Sequence, residues 1–129
     1  MRGERLFVLA GLLALALLAA GCGYVEADCF PGQPCSCAGA GSCDLTCVGA
    51  GCDFNCGGLG SCNFYCYDGG CNATSSGTGA AVLFCPGNGC TMTCTGTGSC
   101  HLAQCTRDCA LSCLGTGECI SDCTHPSCS

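Results

Sequence analysis

The residues with the most chemical potential in this sequence are its cysteines, of which there are 21 among 129 residues. Cysteine thiols pair as disulfides, bind metals as thiolates or act as redox nucleophiles, and their spacing helps to decide among these uses. From Cys43 onward they form Cys-x-x-x-Cys units separated by short, glycine-rich segments. This density predicts a disulfide scaffold, because small domains without a large core depend on cross-links.

The cysteine units repeat every 19 residues. Their first positions are spaced alternately by nine and ten residues, so turns of four and five residues alternate. These first positions are Cys43, Cys52, Cys62, Cys71, Ala81, Cys90, Cys100, Cys109, Cys119 and Cys128. Cys105 lies one residue beyond the expected slot at Gln104, which predicts a local bulge.

Apolar and polar residues alternate within each unit. The middle residues are mostly large and apolar, and their neighbours are mostly Asp, Asn and Thr. The middle residues are Leu45, Phe54, Phe64, Ala73, Leu83, Met92, Leu102, Leu111 and Ser121. A period of two predicts five-residue strands whose cysteines and middle residue point inward. The flanking glycines disfavour helices.

Strands with one apolar face need a cover, and no other segment is long enough to supply it. The sequence therefore predicts an all-β, small, disulfide-rich fold, namely a two-sided β-solenoid of 19-residue coils. A curled β-meander gives the same alternation and is the alternative, although its open apolar face would favour aggregation. We expect the disulfide-laddered repeat domain to span 37–129, after a linker over 22–36.

The positions that lack cysteine suggest how the others pair. Ser75 and Ala81 replace cysteines on either side of one five-residue turn, so pairing across these turns would lose only one bridge. This register predicts the inner bridges Cys37–Cys43, Cys56–Cys62, Cys94–Cys100 and Cys113–Cys119. It predicts the outer bridges Cys52–Cys66, Cys71–Cys85, Cys90–Cys105 and Cys109–Cys123. The register does not assign Cys29, Cys35, Cys47 and Cys128, for which a bridge between Cys47 and Cys35 is one option.

The first residues have the pattern of an export signal. Charged residues within 1–5 precede an apolar stretch over 6–20, which is shorter than the roughly 20 residues that a membrane-spanning helix needs. Residues 18–22 read Leu-Ala-Ala-Gly-Cys, and this motif resembles the lipobox of bacterial lipoproteins. The resemblance implies a signal peptide over 1–21 and a lipid on Cys22. Small residues before Cys22 also suit ordinary signal peptidase, which would leave a thiol there.

If Cys22 is lipidated, the partner of this chain is a membrane. Gly23 provides no acidic retention cue after the cysteine. We therefore expect the chain to be exported and, in bacteria with two membranes, to lie at the outer membrane or cell surface rather than at the inner membrane.

Charge excludes one class of partner. Beyond residue 22 the chain has a single arginine, Arg107, no lysine and eight acidic residues. A surface that follows a phosphate backbone needs clustered Lys or Arg, so a nucleic-acid role is excluded.

The sequence offers little for catalysis. His101 and His125 are its only histidines, and it contains no Gly-x-Ser-x-Gly motif or phosphate-binding loop. Cys35 and Cys37 lack the two-residue spacer of a usual redox pair. We therefore expect no enzymatic activity and no cofactor.

Two metal-binding alternatives depend on the side chains within the repeats. Residues 49–54 look somewhat like the nonapeptide of calcium-binding β-rolls, but that repeat has its inward apolar residue two places after the Asp, whereas Phe54 follows Asp53 directly. Later repeats also replace the acid with Asn72, Thr91 and Ala110, so we assign no calcium site. Thiolate metal binding would explain the cysteine count, although zinc-type ligand spacing is absent.

One outward region differs from the polar remainder. In stacked repeats, Tyr65, Val82 and Phe84 would lie together as an apolar candidate binding patch. The leading interpretation is a non-catalytic, surface-anchored structural or interaction module of the bacterial envelope. The alternative is a thiolate metal-binding protein.

We predict that the mature protein begins at Cys22 and partitions with membranes. The resemblance to a lipobox implies that Cys22 is diacylated, and two acyl chains suffice for stable anchoring. Intact-mass measurement of the membrane fraction checks this. A soluble mature species without lipid would contradict it.

Overall fold

The computed structural model describes residues 23–129, which form eleven β-strands and no α-helix. The predicted signal peptide and Cys22 lie outside the described residues. The strands are β1 Val25–Cys29, β2 Pro34–Cys37, β3 Cys43–Cys47, β4 Asp53–Cys56, β5 Cys62–Tyr65, β6 Asn72–Ser75, β7 Ala81–Phe84, β8 Thr91–Cys94, β9 Cys100–Ala103, β10 Ala110–Cys113 and β11 Cys119–Ser121. No helix within 23–129 is long and apolar enough to cross a membrane.

The strands form two parallel sheets, with successive strands in opposite sheets. The odd-numbered strands form a six-stranded sheet and the even-numbered strands a five-stranded one. Each strand pairs with the strand two places along the chain, and Cys43 aligns with Cys62 in a 19-residue register. This confirms the predicted β-solenoid, here of about five coils. The meander alternative is wrong, since sequential strands in a meander pair antiparallel.

The core lies between the two sheets, along the middle positions of the strands. The seven middle residues from Leu45 to Leu102 are each at most 3% exposed. Phe54 of one sheet stacks on Phe64 of the other, with ring centroids 4.7 Å apart. Leu111 is only partly buried and Ser121 is exposed, because no complete coil covers them. The predicted inward face is therefore confirmed up to the last coil.

Glycine allows the five-residue turns to stack closely. Each of these turns has glycine at its second and fourth positions. A Cβ atom on Gly79 would lie 2.2 Å from the carbonyl oxygen of Gly60 in the preceding coil, and one on Gly98 would lie 2.0 Å from that of Gly79. Backbone bonds such as Thr78 N–H to Gly58 O, 3.2 Å, continue the inter-coil ladder through the turns. A side chain at either glycine position would push adjacent coils apart.

The repeat domain begins before residue 37, the predicted boundary, because the first coil belongs to it. Residues 22–36 are not simply a linker, because β1 and most of β2 lie within this range. Val25 pairs with Cys43 only 18 residues later, and Cys35 aligns with Phe54 rather than with a cysteine. This coil departs from the 19-residue repeat, which is why the cysteine spacing did not reveal it.

The bulge predicted near Cys105 is present. β9 ends at Ala103, and Gln104 has a positive φ of 61°. The next turn is held by Asn88, whose Oδ1 accepts hydrogen bonds from the N–H groups of Thr106 at 2.9 Å and Arg107 at 3.3 Å. The extra residue is therefore accommodated without breaking the stack of coils.

We predict that the double variant Ser75→Cys/Ala81→Cys forms an eleventh bridge. Both residues are buried, and they align with bridged positions in the neighbouring coils, including Cys94 and Cys100, whose Cα atoms are 6.6 Å apart. Closing this loop should raise the free energy of unfolding by about 2 kcal/mol. Denaturant unfolding and mass mapping of the oxidised protein check this. Ser75→Cys alone is the control and should show one extra thiol without stabilisation; two reactive thiols in the double variant would contradict the prediction.

Candidate functional site

Disulfides line both edges of the solenoid. All twenty described cysteines pair, each with a partner four to six residues away, and the paired Cα atoms lie 5.8–6.6 Å apart. Four of the pairs close the glycine-rich five-residue turns and are the predicted inner bridges, namely Cys37–Cys43, Cys56–Cys62, Cys94–Cys100 and Cys113–Cys119. The turn between Ser75 and Ala81 has no bridge because neither residue is a cysteine. This is the single bridge that pairing across the five-residue turns was predicted to lose.

The predicted outer bridges are wrong. Cys52–Cys66, Cys71–Cys85, Cys90–Cys105 and Cys109–Cys123 are not formed, and Cys47 does not join Cys35. The structure instead has Cys29–Cys35, Cys47–Cys52, Cys66–Cys71, Cys85–Cys90, Cys105–Cys109 and Cys123–Cys128. Both kinds of turn bring their flanking cysteines within disulfide distance. The prediction treated bridging of four-residue and five-residue turns as mutually exclusive, whereas the fold bridges both.

The disulfides separate Cys35 from Cys37, the two cysteines considered above for redox chemistry. Cys35 bonds to Cys29 and Cys37 bonds to Cys43, so these two neighbours occupy separate bridges. Neither is a free thiol in the oxidised protein.

Sulfur atoms of successive coils approach one another on the edge formed by the four-residue turns. In each of three groups, the Sγ atoms all lie within 4.8 Å of one another: Cys47, Cys52 and Cys71; Cys66, Cys71 and Cys90; and Cys109, Cys123 and Cys128. Every one of these sulfurs is in a disulfide here. They could serve as thiolate ligands only after reduction, since the thiolate is the form that binds metals.

The predicted apolar patch lies on the outer face of the six-stranded sheet. Tyr65 aligns with Phe84, and their rings stack with centroids 5.0 Å apart. Val82 aligns with Asn63 on the same face, and all three predicted residues are half-buried. Tyr67 extends the aromatic group, with its ring centroid 6.2 Å from that of Tyr65. The structure therefore brings the predicted patch residues together, although the aromatic rings cover part of one another.

Acidic groups lie beside this patch, toward the N-terminal coil. The Tyr24 hydroxyl donates a hydrogen bond to Asp44, and Asn63 Nδ2 donates to the other oxygen of that carboxylate at 2.9 Å. The hydrogen bond to the Asp44 carboxylate raises the pKa of Tyr24 to about 12. Tyr24 therefore keeps its proton, and with it this link between the first two coils, well above neutral pH.

A histidine and an aspartate meet on the other side of the patch. His101 Nε2 lies 2.8 Å from Asp122 Oδ1, and Asp122 Oδ2 accepts the N–H of Gln104 at 3.0 Å. These hydrogen bonds, that from His101 foremost, lower the pKa of Asp122. The sequence repeat did not predict this contact. Asp122 is 21 residues beyond His101, and the bulge at Gln104 is what presents the backbone N–H.

The outer face of the five-stranded sheet is polar and regular. One row contains Asn55, Thr74, Thr93 and Ser112, and the parallel row contains Asp53, Asn72, Thr91 and Ala110. Only one charged residue, Asp53, interrupts these rows. This face offers hydroxyl and amide groups in two parallel rows, without a cluster of ligating carboxylates.

Comparison with protein-family models, curated proteins and solved structures found no match.

We predict that the pKa of Asp122 lies below the ordinary aspartate value and rises in His101→Ala. A lowered folded-state pKa means that Asp122 favours folding above its unfolded pKa, and that this contribution disappears as the pH falls through the folded pKa. The effect on stability should be small because both side chains are substantially exposed to solvent. NMR titration of the Asp122 carboxyl carbon checks this. His125→Ala is the control, since His125 contacts Ser127 instead; an equal effect of both variants would contradict the assigned cause.

Proposed function

We propose that this chain is a non-catalytic structural or interaction module anchored at the surface of the bacterial envelope. The observation that carries the proposal is the disulfide ladder, which closes every turn of the described chain except 76–80. A module that works outside the cell as a rigid spacer or docking surface needs to resist unfolding and proteolysis. Cross-linking each turn supplies this resistance in a chain whose core contains few large side chains.

The distribution of side chains supports a role for the outer surface rather than for an interior site. The inward positions contain half-cystines and apolar residues packed in one core, and the outward positions contain the polar rows and the patch of Tyr65, Val82 and Phe84. Cross-linked faces that repeat along an axis are suited to contact with an extended partner. The proposed module therefore acts by presenting its faces, with a membrane as the partner at its anchored end.

The proposed anchor is a lipid on Cys22, supported by the lipobox-like residues that precede it. Stable attachment requires more than one lipid chain, and the diacylated cysteine of a lipoprotein meets this requirement. The first strand begins at Val25, so the rigid part of the module would start almost at the bilayer.

The three groups of closely spaced sulfurs favour a second candidate function, thiolate metal binding. Reducing the bridges would release up to three thiolates per group, which suits metals that prefer sulfur ligands. The two functions require opposite oxidation states of the same cysteines, and this makes them experimentally separable.

We predict that the protein, purified from its native compartment and denatured without reductant, shows at most one reactive thiol, that of unlipidated Cys22. Mass measurement after alkylation checks the count. We also expect limited proteolysis to leave the oxidised chain intact and to digest it after reduction. Many reactive thiols together with copurified metal would contradict the scaffold and support the metal-binding alternative.

A further inference from the structure

The N-terminal end of the solenoid exposes apolar side chains that are covered in later coils. Val25 and Ala27 align with Cys43 and Leu45, so their side chains occupy the rows that line the core. Leu45 is 2% exposed, whereas Val25 is 38% exposed and Ala27 is also exposed. The difference arises because no described coil precedes β1. Within the described residues, the cross-section of the core is thus open at this end.

Aromatic and aliphatic side chains extend the apolar surface around this opening. Tyr24 is 60%, Phe30 50% and Val48 47% exposed. Val48 lies directly beside the turn of Phe30, since its N–H donates to Cys29 O at 2.8 Å. We call Tyr24, Val25, Ala27, Phe30 and Val48 the N-terminal end face. It contains half of the eight large hydrophobic residues that are exposed in the described chain.

A second copy of the chain is a poor occupant of this end face. Strands at the end of a solenoid can pair with another chain through their free backbone groups. Here, β2 begins with Pro34, which has no N–H to donate. β1 has Glu26 and Asp28 on its outward side, and like charges would meet if two such strands paired. These residues protect the open edge against strand addition.

A membrane surface suits this end face better. We propose that the N-terminal end face lies in the interfacial layer of the membrane, so that the solenoid stands with its C-terminal end outermost. This inference rests on the proposed anchoring at Cys22, which directly precedes Gly23. Gly23 is already part of the stacked turns, because a Cβ atom on Gly41 would lie 2.0 Å from its carbonyl oxygen. An attachment point one residue away would hold the end face close to the bilayer.

The chemistry of the end face sets its depth. Tyrosine and other amphipathic aromatic residues favour the headgroup level of a bilayer. The free backbone groups of β1 need water or polar partners, which the hydrocarbon interior does not provide. Glu26 and Asp28 must also stay in the polar layer. The end face therefore contacts the headgroups and upper acyl chains without entering the hydrocarbon core, and it favours zwitterionic over anionic lipids.

Fluorescence quenching by lipids tests this orientation. The chain from Cys22 onward is coupled through the Cys22 thiol to a maleimide phospholipid in phosphatidylcholine vesicles with brominated acyl chains; the other twenty cysteines are in disulfides and do not compete. Phe30→Trp places a probe in the end face, and Leu114→Trp places the matched probe in a late turn, at a residue that is 74% exposed. The sequence has no native tryptophan.

We expect the brominated lipid to quench the Phe30→Trp variant and leave the Leu114→Trp variant unquenched, with the opposite order for acrylamide in solution. Equal quenching of both variants, or of neither, would overturn the proposed orientation. Flotation of the natively processed protein with vesicles tests the anchor itself. If it does not float, the lipid on Cys22 is contradicted, while the coupled chain still tests whether the end face contacts lipid.

Discussion

The structure depends on the short distance between successive strands at each turn. Paired cysteines hold these strand ends with Cα atoms 5.8–6.6 Å apart, so the two sheets meet closely at both edges. Bulky side chains fit only in the middle of each strand, where Phe54 and Phe64 stack. Where the covalent link is absent, the small residues Ser75 and Ala81 occupy its place and remain buried. The strand ends therefore stay packed even at the one unbridged turn of the described chain.

Most of this architecture could be predicted from the sequence because its determinants are local and repeated. Alternation about Leu45 or Leu83 identifies the inward face, and glycine on either side limits each strand. The 19-residue period then gives the register directly. The outer disulfides could not be deduced in the same way, since Cys52 has cysteines at suitable positions on both sides. Only the three-dimensional course of the chain shows that Cys47, across the nearer turn, is its partner.

The first coil and the histidine contact show the limit of repeat-based prediction. Cys35 aligns with Phe54, so a cysteine occupies a mid-strand position and the pattern is lost. His101 reaches Asp122 through an irregularity at Gln104 rather than through the period itself. The patch around Tyr65 and Phe84, in contrast, follows from stacking two repeats and could be predicted. Surfaces formed by regular repeats can be predicted from the sequence, whereas contacts made where the repeat is irregular are seen only in the structure.

The sequence-local pairing of the cysteines also bears on how the protein matures. Each bridge of the described chain links residues only four to six positions apart, so both partners are synthesised almost together. Oxidation can then proceed coil by coil in the order of synthesis, without waiting for distant segments. Closing such short loops has a small entropic cost, and a correctly closed bridge removes its cysteines from competition with later ones. A chain with twenty such cysteines can thereby avoid most of the many pairings that random oxidation would sample.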